Sequence, residues 1–188
     1  MEATLATKIF FDTEFTGLHQ NTTLISIGCV SECGKEFYAE FTDFDQLQID
    51  NWLQENVLSH LILGTITELS IPDYAYIGNS EFVKQKILAW FAQFDKVELW
   101  SDCLSFDWVL LSELIADRSN GYPKLPDNFE YHSPFDILTL FKANGVNYDV
   151  TREKFAFGEY LQEMKDQKHN ALWDAKVIKA CYNKLVAT

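Results

Sequence analysis

The chain has 188 residues, of which 47% are hydrophobic and 15% aromatic. This length and composition predict a single folded domain over residues 1–188 and exclude an intrinsically disordered chain. The 15 Lys and Arg residues against 28 Asp and Glu residues leave a formal net charge of −13. That balance alone favours a protein that does not contact nucleic acid, because phosphate contacts normally come from a surplus of basic residues.

The N-terminus lacks the basic segment and apolar run that mark a secretory signal. No apolar run approaches the roughly 20 residues that span a bilayer. The four cysteines form no pair at a zinc-binding spacing, so we interpret them as reduced thiols. These features predict a cytoplasmic protein with no membrane segment.

Strand patterns come first along the chain. Lys8–Asp12, Thr23–Val30 and Glu36–Phe41 carry β-branched and aromatic residues at strand spacing, and Val97–Trp100 is a fourth, shorter segment of this kind. The connections between the first three segments are too short for a helical crossover, which indicates an antiparallel meander.

Helical periodicity dominates the rest of the chain. The predicted helices are Gln46–Ser59, Ser80–Phe94, Ser105–Ala116, Asp136–Lys142, Lys154–Met164 and Asn170–Leu185. We interpret Asp136 as the acid that caps the fourth of these helices. A strand meander followed by alternating helices and strands is typical of a mixed α/β fold.

Four acidic residues occupy positions that these patterns place toward the interior. Asp12 and Glu14 lie two residues apart at the end of the first strand, so their side chains share one face. Asp107 continues the apolar stripe of its predicted helix, and Asp174 lies among the inward-facing residues of the last helix.

Several ionised carboxylates on inward faces repel one another and need compensation. Either each acid meets its own basic residue or helix N-terminus, or one shared group neutralises all four. The chain has only 15 basic residues, few of them at inward positions. We therefore favour a pair of divalent cations, because Mg²⁺ and Mn²⁺ prefer carboxylate oxygens.

His169 precedes Asp174 by five residues, which corresponds to about 140° around a helix. The two side chains cannot share a helical face, so we expect His169 in the loop before the last helix. It is either an ordinary surface histidine or, beside a metal cluster, a general base, because its unperturbed pKa is close to neutral.

Three motifs resemble those of the DEDDh 3′-5′ exonucleases, relatives of oligoribonuclease, ribonuclease T and polymerase proofreading subunits. Asp12–Leu18 reads DTEFTGL and is similar to the D-x-E motif of this family. Phe106–Trp108 is similar to the second motif, an Asp that opens a helix, and His169–Asp174 is similar to H-x-A-x-x-D. Their order and separation match over residues 8–186, and the DTEF opening most resembles compact stand-alone bacterial exoribonucleases.

The resemblance implies a ribonuclease H-like α/β fold, with a mixed five-stranded sheet, antiparallel meander first, flanked by helices. It implies that Asp12, Glu14, Asp107 and Asp174 hold two divalent cations, Mg²⁺ or Mn²⁺, with Asp12 between them. It further implies that His169 is the general base. The expected reaction is hydrolysis of the 3′-terminal phosphodiester of RNA, which releases a nucleoside 5′-monophosphate.

The resemblance also places Thr13, Phe15 and Leu18 beside the last nucleotides of the substrate. Leu18 is expected to wedge between bases, and Phe15 or Phe106 to stack on them, although a core position explains either Phe equally well. The scarcity of basic residues predicts weak binding of short or single-stranded RNA. Related enzymes are often dimers, so we expect a homodimer.

The chain departs from the family near the second motif, where Cys103 occupies a position that is commonly Asn. The adjacent Asp102 either supports the ligands from behind or is an alternative ligand. Three other functions stay open. A 3′-5′ DNA exonuclease has the same motifs, an inactive nucleic-acid-binding module typically loses carboxylates, and a glycosidase would use Asp12 and Glu14 alone.

Overall fold

Six strands form one mixed sheet in the computed structural model, which describes residues 5–63, 71–130, 133–159 and 161–187. These strands are β1 (Thr7–Phe15), β2 (Leu24–Ser31), β3 (Glu36–Phe41), β4 (Ala75–Gly78), β5 (Val97–Ser101) and β6 (Phe135–Asp136). Their order across the sheet is β4-β3-β2-β1-β5-β6. The first three form the expected antiparallel meander, and β4, β5 and β6 pair in parallel with β3, β1 and β5.

The mixed α/β fold is confirmed, although the described sheet has six strands instead of the expected five. The strand patterns in the sequence missed both edge strands. β4 has four residues and β6 has two, which is too short for a recognisable alternation of polar and apolar residues. Each is held by hydrogen bonds to a longer neighbouring strand, which the local sequence does not reveal.

Seven α-helices and two short 3₁₀ turns are described. They are 3₁₀ turns Gln46–Gln48 and Leu58–His60, and helices α1 (Asn51–Asn56), α2 (Ser80–Phe91), α3 (Leu104–Ile115), α4 (Ile137–Ala143), α5 (Arg152–Phe157), α6 (Gln162–Lys165) and α7 (Ala171–Val186). Four of them, α2, α3, α4 and α7, confirm predicted helices. As predicted, Asp136 caps α4, because its carboxylate accepts hydrogen bonds from the N–H groups of Leu138 and Thr139. None of the described helices has the length and apolar character needed to cross a bilayer.

Two predicted helices are wrong in extent. The segment Gln46–Ser59 divides into α1 and the two 3₁₀ turns, because the carboxylates of Asp45 and Asp50 each cap a separate helical start. The segment Lys154–Met164 divides into α5 and α6. The break follows from Gly158, which ends α5 in the left-handed conformation with φ of 83°.

The two faces of β1 contact different parts of the protein. Ile9 and Phe11 belong to an apolar core that α2 and α3 complete. Phe10 belongs to a second core, with residues of α4 and α7. Because side chains alternate along a strand, Asp12 and Glu14 continue the row of Phe10, on the face that α7 covers.

Helix α7 approaches the sheet most closely at Gly28, which lies opposite Asp12 in the β1–β2 pair. A Cβ atom at position 28 would lie 2.2 Å from the backbone nitrogen of Leu172 and 2.3 Å from the carbonyl carbon of Ala171. Glycine therefore makes room for the first turn of α7. This close contact brings the part of α7 that carries Asp174 next to the acids of β1.

Candidate active site

A cavity of about 760 Å³ opens beside the end of β1. It is lined by residues of β1, the start of α1, the segment 148–153 and the turn that precedes α7. Among the lining residues are Asp12, Glu14, Asp174 and His169. The cavity therefore brings together residues that are up to 162 positions apart in the chain, from Asp12 to Asp174.

The acidic side chains form two adjoining clusters. In each cluster, the atoms that could bind a metal lie within 4.8 Å of one another. The clusters consist of Glu14, His169 and Asp174, and of Asp12, Asp102 and Asp107. All four acids singled out in the sequence thus converge, and so does the histidine.

Asp107 is fully buried at the start of α3. Its Oδ1 accepts hydrogen bonds from the Thr13 hydroxyl at 2.6 Å and the Thr13 N–H at 3.2 Å, and its Oδ2 accepts one from the Ser101 hydroxyl. Burial raises the pKa of Asp107 to about 7, and the hydrogen bonds oppose this shift. Thr13, only 3% exposed, therefore supports Asp107, a role that the sequence did not indicate.

The other three acids are also in surroundings that disfavour their ionised forms. Burial, followed by repulsion from Asp107 and Asp174, raises the pKa of Asp12 well above its usual value. Burial and repulsion from Asp102 raise the pKa of Glu14 to about 8. Burial and repulsion from Glu14 raise the pKa of Asp174 in the same way. Each ionised carboxylate therefore raises the free-energy cost of ionising its neighbours in the cluster.

This arrangement fits divalent cations. In the part of the chain that the structure describes, no Lys or Arg lies at salt-bridge distance from Asp12, Glu14, Asp107 or Asp174. The carboxylates are therefore not neutralised one by one by their own basic neighbours. Oxygen-binding cations between them would relieve both the burial and the repulsion, and carboxylate oxygens are the ligands that such cations prefer.

His169 lies in the turn before α7, as predicted, with a left-handed φ of 65°. Its main-chain N–H donates a hydrogen bond to Oδ2 of Asp174 at 2.9 Å. Its ring nitrogen Nδ1 lies 3.6 Å from Oε1 of Glu14. The ring of Trp52 contacts the imidazole edge-on, with 5.3 Å between the ring centres. Burial lowers the pKa of His169, which favours the neutral ring that can accept a proton.

Asp102 has an arginine partner, whereas no described Lys or Arg lies at salt-bridge distance from the other acids of the two clusters. Nε of Arg152 donates a hydrogen bond to Oδ2 of Asp102 at 3.2 Å. A terminal nitrogen of the same guanidinium donates to the carbonyl oxygens of Tyr148 at 3.0 Å and Val150 at 2.7 Å. Arg152 therefore ties the 148–152 segment to the end of β5. Nothing in the local sequence identifies Arg152, which lies 50 residues from Asp102.

Apolar side chains complete the cavity lining. Leu18 is 74% exposed and Trp52 is 53% exposed, and both line the cavity. Phe15 and Phe106 stack on each other with 5.4 Å between ring centres and 16° between ring planes. Trp52 was not singled out in the sequence, because it lies on a short helix without a motif. Leu18, Phe15 and Trp52 therefore give the acidic cavity an apolar edge, whereas Phe106 contacts Phe15 but is not among the described lining residues.

Residues 7–186 match the family model of the 3′-5′ exoribonuclease Rv2179c-like domain. The chain belongs to this family. Two Mycobacterium tuberculosis proteins, 3′-5′ exoribonuclease MT2234.1 (strain CDC 1551 / Oshkosh) and 3′-5′ exoribonuclease Rv2179c (strain ATCC 25618 / H37Rv), are each 30% identical to it over 125 residues. The alignment covers 63% of this chain and 67% of each relative.

The fold is also found in solved structures, two of which match most of this chain. The RNase domain of the yeast Pop2 protein matches with a TM-score of 0.58 and 13% identity, over 95% of this chain and 77% of that one. The catalytic unit of Neurospora crassa Pan2, with its protease and nuclease domain, matches with a TM-score of 0.51 and 14% identity, over 99% of this chain and 28% of that one. The expected relation to 3′-5′ exonucleases is thus confirmed by the family and the fold.

Proposed function

We propose that this chain is a metal-dependent 3′-5′ exoribonuclease that removes terminal nucleotides from single-stranded or short RNA as nucleoside 5′-monophosphates. The family supports the reaction. The observation that carries the proposal is the convergence of the two carboxylate clusters with His169 beside one open cavity, which all of these residues line except the buried Asp107. A glycosidase would leave Asp107, Asp174 and His169 without a role, and an inactive module would have no need of these buried, mutually repelling acids.

Asp12, Glu14, Asp107 and Asp174 are the residues that would hold two divalent cations, Mg²⁺ or Mn²⁺. When bound, such cations stabilise negative charge on phosphoryl oxygens and lower the pKa of the bound water to near neutrality. The hydroxyl groups of Thr13 and Ser101 donate hydrogen bonds to Asp107, and these fix the orientation of its carboxylate.

His169 would accept the proton of the attacking water. Its Nδ1 faces Glu14, so Nε2 is the nitrogen available for the proton. The hydrogen bond from the main-chain N–H of His169 to Asp174 fixes the backbone beside the carboxylates, and the edge contact with Trp52 orients the ring. A histidine with a lowered pKa stays neutral near pH 7 and can therefore act as a base.

Leu18, Phe15 and Phe106 remain the residues predicted to contact the terminal bases, and Trp52 joins them because it is exposed in the same cavity. The homodimer and the cytoplasmic location also remain predictions. Light scattering after size-exclusion chromatography tests the oligomeric state.

The direct test uses RNA and DNA oligomers of the same sequence, each labelled either at the 5′ or at the 3′ end. We expect stepwise shortening of 5′-labelled RNA, immediate release of a labelled mononucleotide from 3′-labelled RNA, and loss of both reactions in a chelator. Recovery on adding Mg²⁺ or Mn²⁺ identifies the effective metal. Internal fragments, or preferential turnover of DNA, would contradict the proposal.

A further inference from the structure

We propose that Lys168 binds a phosphate group of the RNA substrate next to the one that is cleaved. Lys168 would thereby supply a positive charge that, unlike that of Arg152, is not already paired with an acid of the cavity. This inference rests on the proposed function, because it adds a contact for the same substrate.

The turn before α7 places Lys168 in the cavity together with its neighbour His169. The Lys168 N–H is directed at the carbonyl oxygens of Met164 and Lys165, at 3.2 Å and 3.3 Å, so its backbone is anchored to α6. The next residue, His169, reverses the chain direction with a φ of 65°. Both residues line the cavity, so the Lys168 ammonium group and the His169 ring lie beside the same reaction centre.

The ammonium group of Lys168 is not committed to another group. In the described ranges, no carboxylate lies at salt-bridge distance from it. It is nevertheless near enough to Glu14 to oppose the rise in the pKa of that carboxyl group. The guanidinium group of Arg152 also lines the cavity, but it already donates hydrogen bonds to Asp102 and to two carbonyl oxygens. Among the described lining residues, Lys168 therefore has the ammonium group that is available to bind a ligand.

The charge around the cavity explains why a substrate needs this contact. Of the residues that the structure describes, seven acidic ones line it, namely Asp12, Glu14, Asp50, Asp102, Asp149, Glu153 and Asp174. Divalent cations held by the central acids would meet the cleaved phosphate, but the neighbouring phosphate of the chain also carries a full negative charge. A lysine suits this second phosphate, because it is a flexible point charge that needs no fixed geometry.

The test compares Lys168→Met with wild type in steady-state cleavage of a short RNA oligomer. We expect KM to rise by about tenfold at low salt, as for the loss of one charged hydrogen bond, and kcat to stay within about twofold. The slope of log(kcat/KM) against log(salt concentration) should become shallower by about 0.7, the value for one phosphate contact on a single strand. Lys168→Arg should keep most of the wild-type KM.

Lys142→Met is the matched control, because Lys142 is exposed at the end of α4 and outside the cavity lining. It should leave KM and the salt slope unchanged. The melting temperature of Lys168→Met should stay close to that of wild type, because Lys168 forms no ion pair within the described residues. An unchanged KM and salt slope, or a fall in kcat alone, would overturn the inference.

Neutral methylphosphonate linkages locate the contact. Methylphosphonates are substituted one at a time at the uncleaved linkages. The wild-type KM should rise at one position only, and for the oligomer substituted there the KM of Lys168→Met should be no higher than that of wild type. If the KM of Lys168→Met stays above that of wild type for every substituted oligomer, Lys168 does not bind a phosphate. Normal 3′-5′ degradation of RNA by wild type alongside such a result would defeat this inference but leave the proposed function intact.

Discussion

The two faces of β1 show how one strand can serve stability and chemistry at once. Ile9 and Phe11 point into the apolar core formed with α2 and α3. Asp12 and Glu14 point the other way, into a cavity with three further acids within reach. Adjacent residues of the same strand therefore occupy opposite chemical environments, only because side chains alternate across a pleated strand.

The comparison teaches that the apolar face makes the charged face possible. Buried carboxylates with raised pKa values oppose folding of the metal-free protein when they ionise. The apolar core behind β1 holds them together despite this repulsion. If this is correct, changes on the two faces should separate catalysis from stability.

The largest effect is expected on the cavity face. Asp12→Asn removes a central ligand while keeping the size of the side chain, so kcat/KM should fall by about 10³-fold or more. The free energy of unfolding measured in a chelator should not decrease, because the substitution also removes charge repulsion. The exposed Asp127→Asn serves as the control and should change neither quantity. A variant that retained activity would remove Asp12 from the metal site.

On the core face, Phe11→Ala should lower the free energy of unfolding by about 3–5 kcal/mol, through lost burial and an unfilled cavity. Urea denaturation measures this change. The matched control Val109→Ala removes an exposed apolar side chain and should cost no more than about 0.5 kcal/mol. At temperatures where Phe11→Ala is folded, its kcat should stay near the wild-type value. A collapse of kcat in the folded variant would show that the two faces are not separable.

The smallest effect concerns pH. The folded-state pKa values of Glu14 and Asp107 are raised to about 8 and about 7, so the folded protein binds more protons than the unfolded chain between about pH 4 and pH 8. The metal-free protein should therefore lose stability as the pH rises through this range. The lowered pKa of His169 has the opposite effect, because stability increases as the pH rises toward the ordinary pKa of histidine. This one histidine is outweighed by the four carboxylates with raised pKa values.

Thermal melting with and without Mg²⁺ measures this dependence. We expect the metal-free melting temperature to be lower by several degrees at pH 8 than at pH 5, and Mg²⁺ to raise it more at pH 8, because the ligands must be deprotonated to bind. An equal gain from Mg²⁺ at both pH values would mean that these carboxylates are not its ligands.

Sequence patterns alone determined the elements with strong local signals and the identity of the central acids. Alternation predicted the meander of β1 to β3, and helical periodicity predicted α2, α3 and α7. Because a side chain's direction along a strand or helix is a local property, the same patterns placed Asp12, Glu14 and Asp107 on inward faces. The motifs added His169 and the relation to 3′-5′ exonucleases, which the family match confirmed.

Only the tertiary structure decided which groups meet across elements. The pairing of Arg152 with Asp102, the contact of Trp52 with His169 and the freedom of Lys168 depend on how helices and turns pack on the sheet. The approach of α7 to Gly28 sets the distance between Asp174 and the β1 acids. Such distances join residues far apart in the chain, and no periodicity within a single element carries that information.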